Sequence, residues 1–154
     1  VTYANLDHWK PVKTSYNANN VLDKWIIASL TKCIINVELF LDKFNAARAS
    51  ETIEMFVDDL SNWYIRRSRD RVGPAAESRD DKNAFYKTLF NVLVVLSKTL
   101  APFTPYIADT IFTNLTKEES VHLSDWQSVN KLTNDDEKLI NEVKKIRELV
   151  ELKR

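Results

Sequence analysis

Apolar side chains recur every three or four positions along five stretches of the chain, as they do on one face of an α-helix. The predicted helices cover about 21–44, 45 to the breakers at 73–74, 81–100, 104–115 and 134 to the end. Capping side chains are predicted at Asn45, at Asp80 or Asp81, at Thr104 and at Asn134. The pattern therefore predicts an all-α fold, an antiparallel bundle of four to five helices.

The same pattern predicts the domain organisation. Residues 1–20 alternate aromatic and polar types without a helical period and are predicted to be an extended lead-in. Residues 21–128 are predicted to form the bundle, and residues 129–154 a C-terminal helix or a linker toward a further part. Because the chain begins at Val1 and ends within an amphipathic run, we expect it to be a piece of a longer protein.

Composition agrees with a helical protein. The chain has 154 residues, 44% of them hydrophobic, and a single glycine, whereas strand-and-turn folds depend on glycine at turns. Lysines and arginines number 22 against 22 acidic residues, so any site for a polyanion must be a local patch. No apolar stretch reaches the roughly 18 residues of a membrane span, and we expect a cytoplasmic monomer with no membrane partner.

Catalytic and metal-binding patterns are missing from the sequence. The two histidines, His8 and His122, are far apart, and Cys33 lies on the apolar stripe of the first helix, where a buried thiol is expected. Gly73 stands alone, so no glycine-rich phosphate loop can form. We therefore predict no catalytic residue, no metal and no cofactor within these 154 residues.

The strongest chemical signal is the segment 63–71, in which four arginines and one aspartate follow two large aromatic residues. On a continuous helix, Arg67 and Arg71 fall on the apolar stripe, whereas Arg66 and Arg69 project from the far side. An arginine on the stripe has two explanations, which the sequence leaves open. It contacts phosphates where the stripe leaves the core, or it pairs with a carboxylate of a neighbouring helix.

Four segments resemble isoleucyl-tRNA synthetases, in the order and spacing of that family. Asp-Asp-Leu-Ser-Asn-Trp-Tyr-Ile-Arg-Arg-Ser-Arg at 58–69 resembles the family's signature helix. Leu-Asp-Lys-Trp-Ile at 22–26, Leu-Ala-Pro-Phe-Thr-Pro at 100–105 and Ser-Val-His-Leu-Ser-Asp-Trp at 120–126 resemble the opening helix, a mid-domain turn and a closing segment. Together they cover roughly residues 20–127, and the valyl branch of the same class Ia is the alternative.

The resemblance implies a domain that binds the anticodon arm of tRNA(Ile), with Arg66, Arg67, Arg69 and Arg71 as the tRNA-binding residues. The class I signatures His-Ile-Gly-His and Lys-Met-Ser-Lys-Ser do not occur in the chain. ATP-dependent isoleucine activation and editing are therefore expected of the catalytic and editing domains of the parent chain, with ATP as the parent's cofactor. A helical protein–protein interaction module, with the aromatic and arginine cluster as its hot spot, is the alternative from a different class.

Overall fold

A computed structural model describes residues 4–5, 7–11, 20–73, 76 and 78–151. The regular elements within these ranges are all helical, as predicted, and the described part of the chain holds no strand. They are α1 Val21–Asp42, α2 Ala46–Asp58, a π-helical segment Asp59–Ile65, α3 Arg69–Val72, α4 Arg79–Leu100, α5 Pro105–Thr116, a 3-10 turn Val121–Leu123 and α6 Asn134–Glu151.

Side-chain caps fix the starts of α2 and α4. The carboxamide oxygen of Asn45 accepts a hydrogen bond from the Arg48 backbone N–H at 3.1 Å, which confirms the cap predicted there. The predicted cap of α4 was placed two or three residues too late. Ser78 is the cap, since its hydroxyl accepts from the backbone N–H of Asp81 at 3.2 Å, and Asp81 lies in the first helical turn, where the macrodipole favours a carboxylate.

The other two predicted caps differ from the structure in part. Thr104 is the N-cap residue of α5, as predicted, but its hydroxyl makes no capping hydrogen bond and instead donates to the carbonyl of Leu100 at 3.5 Å. At the start of α6 the reciprocal pair is Thr133 and Asp136, one residue earlier than predicted. The Thr133 hydroxyl accepts from the Asp136 N–H at 3.2 Å, and the Asp136 carboxylate accepts from the Thr133 N–H at 3.0 Å. This is the geometry of a capping box, whose two members are three residues apart.

The main core lies between α1, α2, the π-helical segment and α4. Its largest side chains with no more than 2% exposure are Trp25, Ile26, Ile34, Val37, Tyr64 and Val92. A smaller cluster of Ala108, Phe112 and Val121 joins α5 to the 3-10 turn. The irregular segment after α5 was predicted to tuck in through Val121, Leu123 and Trp126. Only Val121 is buried, because Leu123 is 71% exposed and Trp126 donates from its indole N–H to Glu38 at the surface.

The last helix, α6, lies against α1. Leu139, Ile140 and Val143 pack against the main core, whereas Ile146 and Leu149 remain exposed. In the second half of α6, Arg147 and Val150 remain partly buried, and Arg147 contacts Asp59 at the start of the π-helical segment. The predicted boundaries at residues 20 and 128 remain predictions.

Part of the predicted lead-in lies outside the described residues, namely 1–3, 6 and 12–19. The described part contacts α4. The Trp9 ring lies 5.9 Å from those of Tyr86 and Phe90, and the Asp7 carboxylate accepts from the Tyr86 hydroxyl at 2.6 Å. No helix within the described ranges is both long and apolar enough to cross a membrane.

Candidate functional site

The π-helical segment changes which arginines face the core. Buried residues follow one another at intervals of four along the chain from residue 60 to residue 72: Leu60, Tyr64, Ser68 and Val72. A regular α-helix has 3.6 residues per turn, so an interval of four would drift steadily around its axis. The wider turns of a π-helix, with hydrogen bonds from i to i+5, offset this drift. As a result Arg67 is turned outward. Arg71, which comes after a break in the helix at Ser68, still reaches the interior.

Arg71 is held between two carboxylates. Its NH1 and NH2 groups donate to the two oxygens of Asp23 at 2.7 and 2.9 Å, and its Nε and NH2 groups donate to the two oxygens of Asp81 at 2.7 Å each. A second NH1 bond, at 3.5 Å, goes to the Ser68 hydroxyl. These contacts engage all five N–H groups of the guanidinium. For Arg71, the explanation by a carboxylate of a neighbouring helix is confirmed.

The groups around Arg71 keep its guanidinium charged and fixed in position. Burial acts to lower the pKa of Arg71, but its hydrogen bonds with Asp23 and Asp81 outweigh burial and raise that pKa above the ordinary value. The hydrogen bond from Arg71 lowers the pKa of Asp81. Tyr64 donates from its hydroxyl to Asp23 at 2.7 Å and stacks on Phe85, and its pKa is raised by burial and by the Asp23 charge. The network ties the segment that contains Tyr64 and Arg71 to α1 and α4.

The other three arginines of the segment are exposed, and we call Arg66, Arg67 and Arg69 the arginine ridge. The outward direction predicted for Arg66 and Arg69 is confirmed. The inward direction predicted for Arg67 is wrong, because it assumed a continuous 3.6-residue helix through the π-helical segment. The Arg67 guanidinium instead lies over the Trp63 ring, 5.2 Å from its centroid, as in a cation–π contact.

A second helix contributes an arginine that the sequence reasoning missed. The guanidinium of Arg147, on α6, lies 5.1 Å from the Trp63 centroid and forms an ion pair with Asp59. Burial raises the pKa of Asp59, and the hydrogen bond from Arg147 partly offsets this. Arg147 follows Val143 by four residues and so occupies the apolar stripe of α6, which is the signal that singled out Arg71.

These elements enclose a groove of about 640 Å³ between the ridge and α6. It is lined by Asp58, Asn62, Trp63, Arg66, Arg67, Asp70, Arg147 and Val150. The lining carries three guanidinium groups against two carboxylates, so it offers fixed donors that suit phosphate oxygens.

Cys33 lies in the main core and does not line the groove. The Cys33 thiol is buried, as predicted; burial raises its pKa to about 12, and it contacts the Thr52 carbonyl at 3.7 Å. A thiol in this state is a poor nucleophile. No group of three histidine, cysteine or acidic side chains able to hold a metal occurs among the residues that the structure describes.

Within the described residues the fold is an all-helical bundle that presents exposed arginines at one end. The family model described as the anticodon-binding domain of tRNA ligase matches residues 23–154. The chain belongs to this family.

Curated relatives agree with the resemblance seen in the sequence. The chain is 42% identical over 152 residues to the isoleucine–tRNA ligase of Dehalococcoides mccartyi (strain CBDB1), covering 94% of this chain and 15% of that protein. It is 43% identical over 133 residues to the isoleucine–tRNA ligase of Clostridium novyi (strain NT), covering 82% of this chain and 13% of that protein. It is 42% identical over 130 residues to the isoleucine–tRNA ligase of Bacillus thuringiensis (strain Al Hakam), covering 84% of this chain and 12% of that protein. The chain thus spans only a small part of the length of these relatives.

Proposed function

We propose that the chain binds the anticodon arm of tRNA(Ile) and thereby positions this tRNA for charging with isoleucine. The observation that carries the proposal is the arginine ridge, three exposed guanidinium groups within four residues at one end of the bundle. Guanidinium groups bind phosphate oxygens with paired donors, and phosphate contacts supply much of the affinity of proteins for nucleic acid.

The ridge is suited to this task because its base is fixed before any ligand arrives. Arg71 joins it to Asp23 on α1 and Asp81 on α4, so the backbone that carries the three outward arginines is held in place. In this proposal Arg71 orients the ridge and is not itself an RNA contact, since its N–H groups bind protein oxygens. The chain has no net charge, so the attraction for RNA is local to this end.

Catalysis in this proposal takes place outside the chain. The parent ligase consumes ATP and isoleucine at its own active site, and its catalytic and editing domains are the intramolecular partners of this domain. The present chain contributes orientation, since binding the anticodon arm directs the acceptor end of the tRNA toward the active site. The cytoplasmic location and the monomeric state expected from the composition remain predictions.

Salt dependence of binding tests the proposal. We expect the 154-residue chain to bind a tRNA(Ile) transcript with a dissociation constant of about 1 µM or weaker, because one patch neutralises few phosphates. Between about 50 and 200 mM salt, the logarithm of the association constant is expected to fall linearly against that of the salt concentration, with the arginine ridge alone contributing a slope of about two to three. Fluorescence anisotropy measures both the dissociation constant and its dependence on salt. Binding that does not change with salt contradicts the proposal and favours the protein–protein interaction module.

A further inference from the structure

We infer that Arg147 is a further RNA-binding residue, which extends the phosphate site from the arginine ridge across the groove to α6. The inference rests on the proposed function and adds a second element to its site. Arg147 lies outside the four sequence motifs, the last of which ends at residue 126, but within the part of the chain that the family model matches.

The position of Arg147 is the first observation. It lines the same groove as Arg66 and Arg67, although it comes from a helix about eighty residues further along the chain. A phosphate in a groove of about 640 Å³ thus meets guanidinium groups from two sides. Two-sided contact holds a backbone more firmly than a single row of charges, because it fixes the orientation of the phosphate as well as its distance.

The second observation is that Arg147 is held in place but remains accessible. Its side chain keeps 23% of its surface exposed, and NH1 donates to Asp59, whose side chain is 26% exposed. Within the described ranges, its other N–H groups make no hydrogen bond, so donors are available to a ligand. An arginine held in this way loses little side-chain entropy on binding.

The third observation concerns what the groove recognises. The guanidinium groups of Arg67 and Arg147 both lie over the Trp63 ring, at 5.2 and 5.1 Å from its centroid. The indole is therefore engaged by two cations, which compete with any base for its surface. The site thus suits the RNA phosphate backbone, which carries no base sequence.

The experiment uses a synthetic RNA hairpin with the sequence of the tRNA(Ile) anticodon arm and single-residue variants of the chain. Arg147→Ala is expected to weaken binding about fivefold and to lower the salt slope by about one, because one phosphate contact is lost. Asp59→Asn is expected to tighten binding at an unchanged slope, because it removes a negative charge beside the site. Lys145→Ala is the matched control, since Lys145 lies on the same helix but lines a different groove. It is expected to change affinity less than about twofold.

The Asp59 variant separates direct binding from a purely structural role. If Arg147 only braces α6 against Asp59, then Arg147→Ala and Asp59→Asn weaken binding alike, and the inference is wrong. Circular dichroism checks folding, and should Arg147→Ala unfold, Arg147→Gln keeps a hydrogen-bonding side chain while losing the charge. If Arg66→Ala weakens binding and neither Arg147 variant does, the inference fails and the proposed function stands. If Arg66→Ala and the Arg147 variants all bind the hairpin as tightly as the unmodified chain does, the proposed function fails as well.

Discussion

Arg71→Ala is expected to lower the free energy of unfolding by about 3–5 kcal/mol, the loss typical when one partner of a buried ion pair is removed. The substitution takes the guanidinium away from Asp23, whose side chain has no solvent exposure. A carboxylate in that position gains almost no stabilisation from water, so its charge is left without its main compensation. The Asp81 carboxylate is 35% exposed, so water can solvate it after the substitution and it adds less to the loss of stability.

Urea denaturation followed by circular dichroism measures this loss. Arg69→Ala is the matched control, because it removes an exposed arginine two positions earlier in the same helix, and it is expected to change stability by less than about 0.5 kcal/mol. If the two variants unfold at the same urea concentration, the network around Arg71 does not anchor the ridge.

Replacing the whole arginine ridge by alanine is expected to weaken binding of a tRNA(Ile) transcript about 100-fold. Each exposed arginine that contacts a phosphate contributes about 1 kcal/mol, so three together give about 3 kcal/mol if they act independently. The salt slope is expected to fall by about two to three units, because that many phosphate contacts are lost. The fold should persist, since Arg66, Arg67 and Arg69 are all exposed.

A second triple variant separates specific contact from overall charge. Lys43, Arg48 and Lys131 are exposed and do not line the groove, so replacing them by alanine removes the same charge from elsewhere. Lys43 follows α1 at the end opposite Asp23, and so lies about 30 Å from the arginine end at 1.5 Å per residue. Equal losses of affinity in the two triple variants would mean that RNA responds only to the overall charge of the chain.

Local rules made the fold and part of the site predictable. Helical periodicity gave the all-α class and the approximate helix bounds, and the Asn45 cap needed only its own side chain and the next turn. The outward direction of Arg66 and Arg69 also followed from local geometry. The core thiol of Cys33 was predictable for the same reason, since its position on the stripe of α1 fixed its environment.

The remaining features depend on tertiary packing. The π-helical segment turned Arg67 outward, and nothing in the stripe marks a wider turn at Asp59–Ile65. The partners of Arg71 lie 48 residues before it and 10 residues after it, although Asp23 on the apolar stripe of α1 was a signal that went unused. Arg147 reaches Trp63 only because α6 packs on α1, a relation that the periodicity of one helix does not contain.

The central claim is that this chain binds the anticodon arm, and a comparison of two RNA hairpins tests it most directly. One hairpin carries the anticodon arm of tRNA(Ile) and the other its acceptor stem, and both are titrated with the 154-residue chain at the same salt concentration. We expect the anticodon hairpin to bind nearly as tightly as the complete tRNA, and the acceptor hairpin about tenfold more weakly or not at all. Equal affinity for the two hairpins, or tighter binding of the acceptor stem, would contradict the account.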